Sequence, residues 1–99
     1  MPPRGGAVAV VGARLVNVSI HGMAIESLVP LEPESVHRFR LVVEGRKVDL
    51  DVRVASCRAH LRDDRPVHGI GMEFLGMSPE DRQHLAAVLE PLHGEPVES

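Results

Sequence analysis

The segment Val48–Val54, which reads VDLDVRV, restricts the fold more than any other part of the chain, because apolar and charged residues alternate in it without exception. On a β-strand, successive side chains point to opposite faces of the sheet. The four apolar residues therefore share one face, and the three charged residues share the other. This pattern predicts a half-buried antiparallel strand.

Four further stretches have the composition of strands: AVAVVGARLVNVSI, MAIES, RFRLVVE and VHGIGMEF. The first is rich in β-branched residues, and its Gly12 predicts a kink or turn. In RFRLVVE and VHGIGMEF, apolar residues alternate with polar residues or glycine, as expected of strands with one buried face. Between the strands, LVPLEPESV and HLRDDRP are predicted to be loops and EGRK to be a hairpin turn.

The pattern becomes helical at Ser78. Ser78 is a suitable N-cap, a proline follows at the first helical position, and the next two acidic residues favour the positive end of the helix dipole. Leu85, Val88, Leu89 and Leu92 recur at helical spacing, so the helix is expected to dock on the sheet through this stripe. Pro91 is expected to end the helix, because proline lacks the backbone N–H that a helix interior uses.

Together these elements predict an all-β dominated domain, in which an antiparallel β-barrel of five or six strands is covered at one opening by a single C-terminal α-helix. At 99 residues, the chain has room for one core. We expect an N-terminal arm over residues 1–6, the domain over residues 7–92 and a C-terminal tail over residues 93–99.

Composition disfavours several classes of function. The formal net charge of -3 argues against general nucleic-acid binding, and the absence of Trp and Tyr removes platforms for stacking bases. Cys57 is the only cysteine, so no intramolecular disulfide can form. The N-terminal apolar run is too short for a spanning helix, so we expect no membrane insertion and a cytoplasmic location.

No arrangement of side chains in the sequence indicates catalysis. The six histidines form no pair with metal-ligand spacing, and Ser19 with His21 lacks a third, orienting group. Asp49 and Asp51 belong to an outward charged row, which is typical of a solvated surface. Around HLRDDRP, Arg58, Arg62 and Arg65 with His60 and His68 could meet an acidic partner or a phosphate. Asp63 and Asp64 lie among them, which favours a solvated loop over an interaction surface. We therefore expect a protein that is not an enzyme and has no metal or other cofactor.

The hexapeptide NVSIHG, residues 17–22, places two small polar side chains just before a glycine. On a strand, Asn17 and Ser19 would project outward while Val18 and Ile20 would enter the core. An amide and a hydroxyl can together read the edge of a nucleobase. The alternative is structural, because Asn and Ser commonly satisfy backbone groups at the end of a strand.

Taken in order, NVSIHGM, the alternating strands and GIGMEFLGMSPEDRQHL resemble the PilZ domain family over roughly residues 7–92. The family motif is Asp or Asn, any residue, Ser, two residues of any kind and Gly, and it is matched by Asn17, Ser19 and Gly22. The resemblance implies a six-stranded antiparallel barrel with a C-terminal helix. The first strand is expected to be shortened, because little sequence precedes Asn17.

The resemblance also implies binding of cyclic di-GMP, a bacterial second messenger, on the outside of the barrel. In the family, residues that match Asn17 and Ser19 contact guanine, and the glycine keeps the turn open. The family also uses an N-terminal RxxxR arm whose arginines clamp phosphates. That motif is missing here, because the residue four places after Arg4 is a valine. The candidate ligand-binding residues are therefore Asn17, Ser19, Gly22, Arg4 and Arg14.

Two non-catalytic functions are compatible with this sequence. The first is a PilZ-type signalling module whose binding of cyclic di-GMP is weak or lost because the arginine arm is absent. The second is a nucleotide-independent adaptor that binds a protein partner. A ligand sensor needs a site with the right charge, whereas an adaptor needs only a persistent surface.

Overall fold

Six strands followed by one helix make up the described part of the chain, residues 8–93 of a computed structural model. The elements are β1 (Val8–Val10), β2 (Arg14–Val18), β3 (Gly22–Ser27), β4 (Val36–Val43), β5 (Arg46–Arg62), β6 (Arg65–Gly76) and α1 (Pro79–His93). The arm expected over residues 1–6, with Arg4 in it, lies outside the described residues, as do residues 94–99 of the expected tail.

The strands form a single antiparallel sheet in the order β1-β4-β5-β6-β3-β2. Tight connections pair β2 with β3, β4 with β5 and β5 with β6, while β3 also pairs with β6 and β1 with β4. The sheet curls until its edge strands β1 and β2 approach each other, which makes a nearly closed barrel. The predicted all-β barrel with one C-terminal helix is confirmed.

The barrel interior is filled by the inward residues of the strands and by one face of α1. The alternation in VDLDVRV is confirmed, because all four of its apolar residues are buried. Each large apolar side chain that is fully buried contributes about 1.5 to 3 kcal/mol to folding. The buried core consists of Val8, Val10, Met23, Ile25, Leu41, Val43, Val48, Leu50, Val52, Val54, Ile70, Met72 and Leu85, with Val88 and Leu89 of the helix packed against it.

The start of α1 is fixed by a cap and by two contacts with the barrel. Ser78 Oγ accepts a hydrogen bond from the Asp81 N–H at 3.1 Å, which confirms the predicted N-cap. The Asp81 carboxylate also pairs with Arg46 at 2.8 Å. His84 donates from Nε2 to the carbonyl oxygen of Val43 at 2.9 Å. Both contacts tie the helix to the two sides of the β4–β5 turn.

The prediction of a loop at HLRDDRP is wrong. β5 continues to Arg62 and β6 begins at Arg65, so only the pair Asp63–Asp64 turns the chain. Both aspartates have positive φ, 54° and 65°, as in the type I′ turns that match the twist of paired strands. Because β4 pairs only with the first part of β5, the far end of the β5–β6 hairpin projects beyond it. We refer to residues 59–68 as the hairpin tip.

Two smaller predictions also differ from the structure. α1 continues past Pro91 to His93, since a proline near the end of a helix removes few hydrogen bonds and helix ends are loosely defined. Ile20 is partly exposed and does not pack on the core of the described chain. The reason is that β2 ends at Val18, so the alternation of a strand does not extend to Ile20.

Candidate ligand-binding face

The hexapeptide NVSIHG forms the end of β2 and the turn into β3. Asn17 is exposed and pairs with Ala24 of β3, and residues directly opposite each other in an antiparallel pair share a face. A β-bulge at Val16 shifts the register just before it. Leu15 and Val18 consequently both pack on the core while Asn17 points outward. No side-chain hydrogen bond engages the Asn17 amide within the described residues.

Ser19 helps to close this turn. Its N–H donates to the carbonyl oxygen of Gly22 at 2.9 Å, and its Oγ accepts a hydrogen bond from the N–H of His21 at 3.1 Å. Ser19 therefore does satisfy a backbone group at the end of the strand, as the structural alternative for this residue predicts. A hydroxyl that accepts one hydrogen bond still has its own proton to donate, and Ser19 is exposed.

Gly22 lies where β3 begins to pair with β6. A Cβ at this position would be 2.2 Å from the carbonyl oxygen of Met72 and 3.3 Å from the Cα of Glu73. Both are backbone atoms, which cannot rotate away as a side chain can. The neighbouring His21 carbonyl oxygen accepts from the N–H of Phe74 at 2.9 Å. The third residue of the motif thus allows two strands to approach closely.

Four charged or titratable side chains meet on the outer face, at the end of the β2–β3 hairpin away from this turn, and we call them the Glu26 cluster. Arg14 Nη1 lies 3.1 Å from Glu26 Oε1, Arg62 Nε lies 3.3 Å from the same oxygen, and His60 Nε2 lies 3.2 Å from Oε2. The Glu26 side chain is only 14% exposed, whereas those of its three partners are about half exposed. With His60 neutral, the cluster carries two positive charges and one negative charge.

These neighbours also set the protonation of Glu26. Loss of solvent around the carboxyl group raises its pKa, but the hydrogen bond from His60 and the charges of Arg62 and Arg14 outweigh that effect and lower the pKa below its ordinary value. Glu26 is therefore a carboxylate at neutral pH. Its negative charge lies at the centre of a cationic group.

Two shallow grooves flank the Glu26 cluster on the outside of the barrel. The first has a volume of about 360 Å³, and its lining includes Ala24 and Gly69 together with Arg58 and His60. The second has a volume of about 350 Å³ and is lined in part by Arg14 and Arg62. Glu26 lines both grooves. A binding pocket for a small molecule typically has this size or more.

The first groove exists because β6 carries glycines there, which place no side chains on its floor. A Cβ at Gly69 would lie 3.4 Å from Cε1 of the His60 ring, so the missing side chain lets the imidazole lie close across the strand. Arg58, on the same strand as His60, is exposed and forms no ion pair with any described residue. The groove therefore combines a floor without side chains with a guanidinium that has no ion-pair partner among residues 8–93.

The structure brings three of the five predicted site residues together and places a fourth, Arg14, at the other end of β2. Asn17, Ser19 and Gly22 share one turn, and Arg14 lies on the same strand as Asn17, but it contacts Glu26. The fifth, Arg4, lies outside the described residues. Sequence analysis missed Glu26, and it assigned the β5 residues Arg58, His60 and Arg62 to a solvated loop. A signal for the β5 residues was present, because they recur at every second position, as outward residues of a strand do.

The other candidate sites have structural partners. Asp49 and Asp51 lie opposite Arg40 and Arg38 on β4 and form ion pairs with them at 2.7 Å and 3.0 Å. Cys57 is partly buried and packs against the core. Among residues 8–93, no three His, Cys, Asp or Glu side chains are grouped so that they could hold a metal ion. No helix in this part of the chain is both long and apolar enough to cross a membrane.

Comparison with known proteins identifies the family. Searches of curated proteins and of solved structures each found no significant match. The family model of the PilZ domain, by contrast, matches residues 4–90, which include every strand and most of the helix. The match covers the motif turn and agrees with the barrel and its C-terminal helix. The chain belongs to the PilZ domain family.

Proposed function

We propose that this chain is a non-catalytic bacterial signalling module that binds cyclic di-GMP weakly on the outer face of its barrel. The main observation behind the proposal is the family match over residues 4–90. It is supported by the exposed Asn17 and Ser19, since Asn17 lies opposite Ala24, which lines the first groove. A second-messenger receptor needs a surface that reads a base and neutralises phosphate. Both kinds of side chain occur on this face.

The base-reading part of the proposal depends on Asn17 and Ser19. The Asn17 amide offers donors and an acceptor, and it has no side-chain partner within the described residues. The Ser19 hydroxyl keeps a proton to donate after it accepts from His21. A guanine edge presents both acceptors and donors, so it suits this pair. Gly22 contributes indirectly, because it holds the turn against β6.

Weak affinity follows from the absence of an RxxxR motif from residues 1–16. A charge-assisted hydrogen bond to a phosphate contributes about 1.5 to 3 kcal/mol, so the loss of two such contacts weakens binding by a hundredfold or more. Within the described residues, the arginine nearest the motif along the chain is Arg14. Its guanidinium is already paired with Glu26, which reduces what it can offer to a ligand.

A nucleotide-independent adaptor is the second candidate, and exposed apolar residues favour it. Leu28 and Val29 in the loop after β3 are 79% and 62% exposed, and Leu61 on the hairpin tip is 68% exposed. Large apolar side chains at such exposure contribute little to folding. They are common at protein contact surfaces.

Calorimetric titration of the chain with cyclic di-GMP tests the proposal. We expect a dissociation constant in the high micromolar range or above. Binding should be lost when Asn17→Ala and Ser19→Ala are combined. Gln83→Ala is the matched control, since it removes an exposed amide from α1 on a different part of the molecule. Fusing an arm with two arginines four residues apart ahead of Gly5 should raise the affinity.

Three results would contradict this proposal in different ways. If the double variant binds as the Gln83→Ala control does, Asn17 and Ser19 do not read the ligand. If neither the chain nor its arm fusion binds, the adaptor becomes the better explanation. Tight binding by the unmodified chain would mean that the phosphates are already well neutralised.

A further inference from the structure

The outer face carries an excess of positive charge that the family motif does not account for. Arg14 and Arg62 share a single carboxylate, and Arg58 has no ion-pair partner among residues 8–93. All three arginines are solvent-exposed. Arg38 and Arg40 on β4 differ, because each is paired with an aspartate of its own on β5.

We propose that the phosphate groups of the cyclic dinucleotide bind to Arg58, Arg62 and Arg14 on the β5–β6 side of the grooves, where they displace the carboxylate of Glu26. The inference rests on the proposed function, because it takes the same ligand and the same face. It adds a phosphate site built from the hairpin and from β2, in place of an N-terminal arm. Glu26 then acts as an internal competitor that keeps the affinity low.

The positions of the residues support a single continuous site. Asn17 lies opposite Ala24, and Arg14 lies opposite Glu26, so the amide and the carboxylate are two residue positions apart along β3. Two residues of a strand span about 7 Å, a distance that one nucleotide bridges between its base and its phosphate. Across β6, Arg58 pairs with Gly69, which has no side chain to separate the guanidinium from the groove.

The chemistry of the Glu26 cluster suits displacement by a phosphate. A phosphate oxygen pair accepts two parallel hydrogen bonds from a guanidinium, as a carboxylate does. The guanidiniums of Arg14 and Arg62 are about half exposed, whereas Glu26 is mostly covered by them. A ligand can therefore reach the arginines from solvent. Since Glu26 lines both grooves, its movement would also join them.

Titration of charge-changing variants with cyclic di-GMP tests this proposal. The chemical shifts of the backbone amides are followed by NMR, which detects binding even at millimolar dissociation constants. Arg58→Gln and Arg62→Gln should each weaken binding about tenfold or more, because each removes a charge-assisted contact. Glu26→Gln keeps the shape of the side chain and should strengthen binding by a similar factor. The matched controls are Arg82→Gln and Glu80→Gln on α1, which change the net charge by the same amounts.

The amide signals of Gly69 and Gly71 provide a second readout, because both residues line the first groove. They should shift on titration of the unmodified chain and shift at lower ligand concentration in Glu26→Gln. Raising the salt concentration should weaken binding in all of these proteins, since screening acts on the phosphate contacts.

The outcomes separate this inference from the proposed function. If the chain binds through Asn17 and Ser19 but Arg58→Gln, Arg62→Gln and Glu26→Gln behave like the α1 controls, the hairpin phosphate site is wrong and the proposed function stands. If no variant binds, Glu26→Gln and the arm fusion included, the proposed function fails and this inference fails with it. Stronger binding by Glu26→Gln together with weaker binding by both arginine variants supports it.

Discussion

Gly22→Ala is the most informative single change in the motif, because its cost can be worked out from three contacts. The new Cβ would lie 2.2 Å from the Met72 carbonyl oxygen, so the start of β3 must move away from β6. Forced overpacking costs about 1 to 3 kcal/mol. The movement also threatens two hydrogen bonds of 2.9 Å, Ser19 N–H to Gly22 O and Phe74 N–H to His21 O, at about 1 kcal/mol each.

Against these losses, alanine restricts the unfolded chain and returns about 0.4 to 1 kcal/mol of stability. We therefore expect Gly22→Ala to lower the free energy of unfolding by about 2 to 4 kcal/mol. With an m-value of about 1 to 3 kcal/mol/M in urea, the unfolding midpoint should fall by about 1 M or more. Equilibrium urea denaturation monitored by far-ultraviolet circular dichroism measures this directly.

Gly76→Ala is the matched control. Gly76 lies at the end of β6, the strand against which Gly22 packs, and a Cβ there meets no atom within 4 Å. It should be neutral or slightly stabilising. If Gly22→Ala is as stable as this control, β3 does not approach β6 as closely as described, and the explanation of the motif glycine by strand packing is refuted.

Two further changes test the helix and the outer ion pairs. Leu85→Ala should lower the free energy of unfolding by about 2 to 5 kcal/mol, because Leu85 is only 1% exposed. Leu75→Ala is the control and should have little effect, because Leu75 is 51% exposed. Equal urea midpoints for the two variants would mean that α1 does not dock on the barrel. The hydrogen bond from Arg40 is the main cause that lowers the pKa of Asp49 below its ordinary value of 3.8. Asp49 therefore binds a proton more readily in the unfolded chain than in the folded one. The stability from this pair is present above pH 3.8 and is lost as the pH falls through the folded pKa. Urea midpoints should consequently fall less between pH 7 and pH 3 in Asp49→Asn than in Asp64→Asn, a change in the β5–β6 turn, and an equal fall in both would contradict the pairing.

The parts of the fold that could be predicted from the sequence are those in which local pattern and burial agree. VDLDVRV alternates because one face of β5 is inside the barrel, and Ser78 begins a helix through its own hydroxyl. The hairpin tip was missed because Asp63 and Asp64 provide a two-residue turn without the glycine that usually marks one. A mixed-charge segment with a proline beside it then looks like a loop.

The candidate site was only partly predictable, because the motif residues are close together in the sequence whereas the residues of the Glu26 cluster are far apart. Asn17, Ser19 and Gly22 are contiguous in the chain and form a recognisable motif. The Glu26 cluster joins β2, β3 and β5, so it exists only after the barrel has formed. A bulge at Ala55, between the paired residues Val54 and Ser56, further interrupts the alternation just before the outward site residues Arg58, His60 and Arg62.

The uneven pairing of β5 has a consequence for amide hydrogen exchange. β5 pairs with β4 from Arg46 to Arg53 and with β6 from Asp51 to Arg62. Only Asp51 to Arg53 therefore pair with a strand on each side, and residues 59–62 pair only with β6 in the described sheet. Local opening of the hairpin tip therefore breaks few contacts with the core, and amides there should exchange through fluctuations much smaller than global unfolding. Amides of Asp51 to Arg53 should exchange only when the whole barrel opens. A ligand held by Arg58 and Arg62 would slow exchange at the tip first, so protection there would report occupancy of the face before any change in the stability of the barrel is seen.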